Sequence, residues 1–470
     1  MAPLLSTFGA ASVKSFGGIG AGAGGSSAFS LVYTTSTNDS PYTGSVNLNR
    51  DGTKILWAFT NSTASDGYVG YLGYLDIETL DPDWEKEMEN SGGGSYKRCG
   101  YNAAAEISTG TIFAMGFCNY RTDSTTTDVF TQLINASNGA SLDADRDTGY
   151  SASTVGFRNL VWYPSIEHYV GAAGQFDSGL IGSGDMHCAG FRNNSGTIVD
   201  EGKAAYGDSL NDEGGGLAAD SSGGSYIGIS RLIVSPDVSR YAGVIHVNSP
   251  SATIQWYREY SSGNTINDLQ YTRAVAVDSQ NKVLITGKDN SEMFIAKMQS
   301  SDGANIGQLH IDDSDGTIQG HQIITDSSDN IYTAAISNGY VKVMRFTGVS
   351  SGASDLDWAV KVSINGSTSA LSSGSTMALS ETKETLYIYV YTGVGGGRFI
   401  LLGLPLDGSF TGDLGEVNIA DTKSTLTVTT GSLTNQAASG SRQLYTGGVS
   451  AENDLEYANA TRYSETLTEG

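Results

Sequence analysis

One repeated unit constrains this chain more than any other feature. Its clearest copy runs through an apolar strand at 274–278 (AVAVD), a polar turn at 279–281 (SQN), an apolar strand at 283–287 (VLITG), a third strand at 293–298 (MFIAKM) and a turn at 301–303 (SDG). The next copy repeats that order with 323–326 (IITD), 327–330 (SSDN), 331–334 (IYTA), 340–346 (YVKVMRF) and an outer segment at 357–360 (DWAV). Asp and Asn fold their side chains onto turn N–H groups, and glycine supplies positive φ, so the turn chemistry repeats along with the hydrophobic pattern. The same first-turn anchor recurs at Asn49, Ile107, Ser165, Asp220, Asp278, Asp326 and Ser380, which makes seven units spaced by about 48 to 58 residues. Each anchor is followed by a strand without polar alternation, as at 55–57 (ILW), 111–114 (TIFA), 169–172 (YVGA) and 386–390 (LYIYV). Strands buried on both faces read in this way.

Units of this length with room for three or four short strands, and no sustained helical period, describe an all-β fold closed by radial repetition. The expected architecture is a β-propeller of seven blades, with six or eight within reach of the spacing. A β-sandwich array is the structural rival, since short strands and turn residues fit it too. A ring must join its ends, and the alternating segment 28–33 (AFSLVY) is expected to complete the seventh blade beside 399–402 (FILL). Trp84, Trp256 and Trp358 stand on outer strands just after turns, where a large ring can seal the gap between blades. The domain reading is a flexible Gly-rich docking arm at 1–27, a propeller at 28–418 and a Ser/Thr-rich, acidic extension at 419–470.

Composition narrows the partners. The 26 Lys and Arg against 50 Asp and Glu give a formal charge of −24 at pH 7, which repels a phosphate backbone or an anionic membrane. Nucleic acid and membrane insertion are therefore not expected. Three cysteines, Cys99, Cys118 and Cys188, build no disulfide framework or zinc knuckle, and reduced, buried thiols are expected. The first residues lack the basic head and long apolar stretch of a secretory signal. Synthesis in a cytoplasm follows as the expectation.

Motifs for catalysis are sparse. The five histidines, at 168, 187, 246, 310 and 321, lie scattered through several units, and no nucleophile elbow precedes a helix. No catalytic residues are assigned. Asp143, Asp145 and Asp147 alternate like the opening of a calcium loop, although the glycine falls one place late and the twelfth position is Thr154. Calcium is the one cofactor left open. Tyr68, Tyr120 with Arg121, and Phe176 with Asp177 fall in connections after second strands, where rings and polar edges suit a receptor or glycan.

The opening 2–9 (APLLSTFG), the 15–17 (SFG) segment and the glycine arm that follows look like the starts of fibre and other virion proteins of marine, especially cyanobacterial, phages. The segment 426–434 (LTVTTGSLT) is similar to linkers in those proteins, and the repeats resemble bacterial and viral propeller repeats generally. The resemblance implies a non-enzymatic virion component, a tail or particle-surface propeller in multiple copies. Leu4, Leu5, Phe8 and Phe16 would dock the arm on other virion proteins, and the loops would face a host glycan or protein. Two alternatives stand beside it: a glycan-cleaving propeller enzyme, and a cellular surface adhesin.

Overall fold

The computed structural model describes residues 12–17, 28–34, 40–63, 67–88, 98–119, 128–147, 157–163, 168–176, 185–207, 212–233, 239–248, 253–261, 274–371, 376–392, 398–430, 434–436 and 443–446. Two strands precede the first full unit: β1 (Ser12–Gly17) and β2 (Phe29–Thr34). Blade 1 holds β3 (Ser40–Leu48), β4 (Lys54–Thr63), β5 (Gly67–Asp76) and β6 (Pro82–Met88). Blade 2 holds β7 (Arg98–Ser108), β8 (Thr111–Asn119), β9 (Asp128–Asn135) and β10 (Ser141–Asp147). Blade 3 holds β11 (Phe157–Trp162), β12 (Tyr169–Phe176), β13 (Asp185–Asn194) and β14 (Thr197–Gly207). Blade 4 holds β15 (Asp212–Ala219), β16 (Gly224–Ile233), β17 (Ser239–Asn248) and β18 (Thr253–Ser261). Blade 5 holds β19 (Ala274–Val277), β20 (Val283–Asp289), β21 (Glu292–Met298) and β22 (Asn305–Asp313). Blade 6 holds β23 (Ile318–Thr325), β24 (Ile331–Ser337), β25 (Tyr340–Phe346) and β26 (Leu356–Ile364). Blade 7 holds β27 (Met377–Ser380), β28 (Thr385–Thr392) and β29 (Arg398–Pro405).

Within each blade the strands pair antiparallel in sequence order, and the seven first strands neighbour one another in turn until β27 returns to β3. This is a seven-bladed propeller. The ring closes where the sequence suggested: β2 pairs with β29 from Phe29 opposite Gly403 to Thr34 opposite Arg398, so the seventh blade takes its fourth strand from the other end of the chain.

The anchors explain why the units turn where they do. Asp278 Oδ1 accepts the N–H groups of Gln280 and Lys282 at 2.9 and 2.7 Å, and Asp326 Oδ1 accepts those of Ser328 and Asn330, both at 2.9 Å. Asp220 and Asn49 cap their own turns in the same manner. The N–H just past each anchor then reaches the following blade: Arg50 to Glu106 at 2.8 Å, Ser221 to Asn281 at 3.2 Å, Ser279 to Asp329 at 2.8 Å and Ser327 to Glu381 at 2.8 Å. At these four anchors the side chain sets the turn within the blade, and the N–H of the residue after it joins the seam with the next.

Apolar packing fills the gaps between blades. Among the described residues seven buried clusters form, one for each of the seven seams. The tryptophans lock three of them: Nε1 of Trp84, Trp256 and Trp358 donates to the carbonyls of Ala136, Ser300 and Leu406 of the next blade at 2.7, 2.7 and 2.9 Å. Each ring lies on the glycine of that turn, Gly139, Gly303 or Gly408, whose φ of 66, 70 or 68° is left-handed. The seam between blades 3 and 4 is described only in part. Among the described residues it has five buried apolar side chains, a Tyr163–Ser225 hydroxyl contact at 2.6 Å, and a space of about 10 Å³ beside Cys188, room for one water.

The chain after blade 7 does not leave the body. A short β30 (Gly412–Asp413) pairs with β31 (Val417–Asp421), which lies along the outer strand of blade 6. Then β32 (Leu426–Thr430), β33 (Thr434–Gln436) and β34 (Gln443–Thr446) pair with the outer strands of blades 5, 4 and 3. Over its described part the 419–470 extension is a belt round the rim, and β1 adds the equivalent fifth strand to blade 7. The other residues of the 1–27 arm, Leu4, Leu5 and Phe8 included, lie outside the described residues. Phe16 pairs with Leu31 in backbone register.

Candidate functional site at the axial mouth

The two ends of the propeller differ. Anchor turns and Trp–Gly turns crowd one face, mostly in tight connections. The opposite face carries the links from second to third strands and from one blade to the next. Only blades 5 and 6 close their second-to-third links with two-residue turns there, Asn290–Ser291 and Asn338–Gly339, with Asn290 and Asn338 at φ 59 and 48°. The connections 64–66, 89–97, 120–127, 148–156, 177–184, 208–211, 234–238, 262–273, 372–375 and 393–397 all belong to this face and lie outside the described residues. Long connections on a rigid scaffold are where binding and catalysis concentrate.

The inner strands change character as they approach that face. In five of seven, pairing with the second strand slips in the first half of the strand, skipping Tyr42, Asn102, Arg158, Gly215 with Gly216, and His321. A bulge adds a residue and re-aims it, and here each sits on a strand whose other edge borders the axis. Gly320 shows how tightly one is set, because a Cβ there would stand 2.1 Å from Thr286 Oγ1 of blade 5. Around the mouth the inner strands bury polar side chains: Asn102, Asn159, His321, Gln322 and Thr376. Amides and imidazole offer donors and acceptors together without a fixed charge. That set suits hydroxyl-bearing ligands better than ions.

Among the described residues, the charged groups nearest this face make structural contacts. Lys342 Nζ lies 2.5 Å from Asp313 Oδ2 and 3.0 Å from Asp315 Oδ2, and it donates to Thr425 Oγ1 of the belt at 3.1 Å. Burial works to raise the Asp313 carboxyl, but hydrogen bonds from Lys342 and Ser337 outweigh it and hold the group below its usual value. Lys342 and Asp313 are both fully buried, so the pair pins the belt at the corner of blades 5 and 6. His310 Nδ1 lies 3.1 Å from Glu292 Oε2 and 3.8 Å from Asp289 Oδ2. His246 Nε2 meets the Asp220 anchor at 2.9 Å and stacks on Tyr226, and so belongs to the turn architecture.

Tyr68 lies in β5 opposite Ser62, and Phe176 ends β12 opposite Asp185. Tyr120, Arg121 and Asp177 lie outside the described residues. Tyr68 and Phe176 thus stand at strand ends of blades 1 and 3 rather than in the connections themselves. Cys99 stands directly opposite Cys118 in the β7–β8 register, while Cys188 is a buried thiol.

Asp143, Asp145 and Asp147 lie in β10, a strand. Asp143 Oδ2 accepts the Ile198 N–H of blade 3 at 2.7 Å, a seam contact. Among the described residues no group of three or more His, Cys, Asp or Glu side chains is placed to hold a metal.

No family model matches the chain, and no curated protein does either. Solved structures of similar fold include an α-L-arabinanase from Penicillium chrysogenum, 10% identical over 78% of this chain and 97% of that one, at a TM-score of 0.42. The α-L-arabinofuranosidase Arb93A of Fusarium graminearum is 8% identical over 78% of this chain and 93% of that one, with the same TM-score of 0.42. The β-propeller domain of the Trilobed protease from Pyrococcus furiosus is 10% identical over 77% and 97%, at 0.40. At such identities and TM-scores the likeness carries no argument about what the chain does. The expectation of a non-enzymatic virion component is nevertheless corrected: no matching family or curated protein supports it, and the structures found are an arabinanase, an arabinofuranosidase and the propeller domain of a protease.

The bulges were the feature that sequence reading passed over. Their signal was present as polar residues beside glycines within apolar inner strands, at 100–102 (GYN), 214–216 (GGG) and 320–322 (GHQ).

Proposed function

We propose that the chain is a carbohydrate-acting propeller that holds a neutral glycan at its axial mouth and cleaves it there. The observation that carries this reading is the run of inner-strand bulges that sets Asn102 and His321 at the end of the axis served by the long connections. Uncharged groups that both donate and accept match sugar hydroxyls. Tyr68, Tyr120 and Phe176, in or beside the second-to-third connections of the sequence, are candidates for stacking on sugar faces. A formal charge of −24 turns polyanionic substrates away. Hydrolysis of a glycosidic bond calls for two carboxylates. Each second-to-third connection of blades 1 to 4 carries one, at Asp66, Asp123, Asp177 and Asp237, and these are the candidates.

The test is a panel of neutral polysaccharides, arabinan among them, scored for reducing-end release and for binding by calorimetry. Release from at least one substrate is expected, with His321→Gln and Asn102→Ser weakening binding at least tenfold at a temperature where circular dichroism shows each variant folded. Neither binding nor release across the panel would remove the glycan from the account.

A further inference from the structure

The rim of the axial mouth is uneven. Second strands β4 and β16 are ten residues long, while β20 and β24 have seven. All four begin a short turn past their anchors, so blades 1 and 4 carry two to three more residues of strand at this face, a difference in height of about 7–10 Å. Blades 5 and 6 form the low side.

That low side is one continuous surface. Ile318 N, at the start of β23, donates to Ser291 O of the blade 5 turn at 2.9 Å. In the link between the two blades, a Cβ on Gly316 would stand 3.6 Å from Cβ of Asn338 in the blade 6 turn. Beside it Ser369 N donates to Gly339 O at 2.9 Å, and Ala370 then pairs with Tyr391 of blade 7. Asn290, Ser291, Thr317, Asn338 and Thr368 are exposed along this shelf. Their amides and hydroxyls donate and accept hydrogen bonds without a fixed charge. Glu292, Asp312 and Asp315 border it, and their charge turns polyanionic chains away. Leu142 and Ile306, the large apolar residues exposed among the described ones, stand at the other face, near the starts of β10 and β22, so the shelf lacks the apolar patch that marks a protein partner. Its inner end, Ile318, is close in sequence to the bulge at His321.

We infer that this shelf carries the part of a neutral polysaccharide that continues beyond the mouth, so that the ligand is a long chain rather than a short oligosaccharide. The inference rests on the glycan reading of the mouth. A chain held at Asn102 and His321 meets tight two-residue turns over blades 5 and 6 and taller strands over blades 1 and 4, and it leaves over the low side. Contacts made by one chain at both places act as linked binding events, so a polymer outbinds its short fragments without any single strong contact.

Calorimetry tests this with linear arabinan, xylan and mixed-linkage β-glucan, each offered as the polymer and as a trisaccharide cut from it, on the full chain and on Asn290→Gly/Asn338→Gly. Glycine keeps the left-handed backbone of both turns, at φ 59 and 48°, while removing the amides. The expected result is a polymer bound at least tenfold more tightly per site than its trisaccharide, with that preference lost in the double variant and trisaccharide binding unchanged. A preference that survives in the variant, or a wild-type protein that binds polymer and trisaccharide alike, would overturn the shelf and leave the mouth standing. The mouth fails separately, and the shelf with it, if no ligand binds or if His321→Gln leaves trisaccharide binding intact.

Discussion

Replacing Gly408 by alanine imposes two separable costs on the seam between blades 6 and 7. The residue sits at φ 68°, and a Cβ there would stand 2.5 Å from Cγ of Trp358, whose Nε1 donates to Leu406 O in the same turn. The left-handed backbone costs an alanine about 1–2 kcal/mol. Forcing a buried ring aside adds about 1–3 kcal/mol, so the total loss is about 2–5 kcal/mol. Gly366 supplies the control, with φ 71° and nothing within 4 Å of its added Cβ. Gly366→Ala carries the backbone cost alone. Urea denaturation at equilibrium reads both, and the excess loss at Gly408 is expected to vanish in a Trp358→Ala background. Equal losses at Gly408 and Gly366, or an excess that persists without the indole, would refute the reasoning that the tryptophan seats on the glycine.

Lys342→Met leaves Asp313 buried without its cation, and a loss of about 3–5 kcal/mol is expected in the same assay, most of it recovered in Lys342→Met/Asp313→Leu. Asp220 is held down at about 2, because hydrogen bonds from His246, Gly224 and Ser222 overcome the opposing effect of burial. A lowered carboxyl stabilises the fold above its unfolded value and loses that contribution as pH falls towards 2. Acid titration of the thermal midpoint should therefore drop between about pH 4 and pH 2, and less steeply in Asp220→Asn. Burial pushes Tyr74 and Tyr226 up to about 12. Their contribution is complete below the ordinary tyrosine value of about 10 and is lost as pH rises towards 12, so tyrosinate absorbance should appear together with unfolding.

The seven units and the closing strand were legible in the sequence because each rests on a local rule that repeats. Asp278 and Asp326 cap their turns with the bonds that their residue type suggests, and Phe29–Thr34 alternates as a strand shared by two ends of the chain must. Trp256 and Trp358 could be read as seals because few roles suit an indole on an outer strand, yet their glycine seats one repeat later emerge only when two blades are set side by side. The belt was hidden for the opposite reason. Its strands are three to five residues long, too short for a period to register, and they are specified by the open edges they meet. The axial mouth was hidden because a bulge is a property of pairing: His321 reads as one polar residue in an apolar strand until its partner strand is seen to pass it by. That Asp143, Asp145 and Asp147 fall in a strand was not legible either, since alternate carboxylates look alike in a loop and in a strand.

The most direct test of the account is a crystal structure of the protein soaked with an oligosaccharide drawn from whichever polysaccharide it binds. The account predicts sugar density over the axial mouth, against the bulged segments of β7 and β23, with Asn102 or His321 within hydrogen-bonding distance of ring hydroxyls. Sugar bound only on the rim or on the anchor-turn face, with the mouth empty, would contradict it.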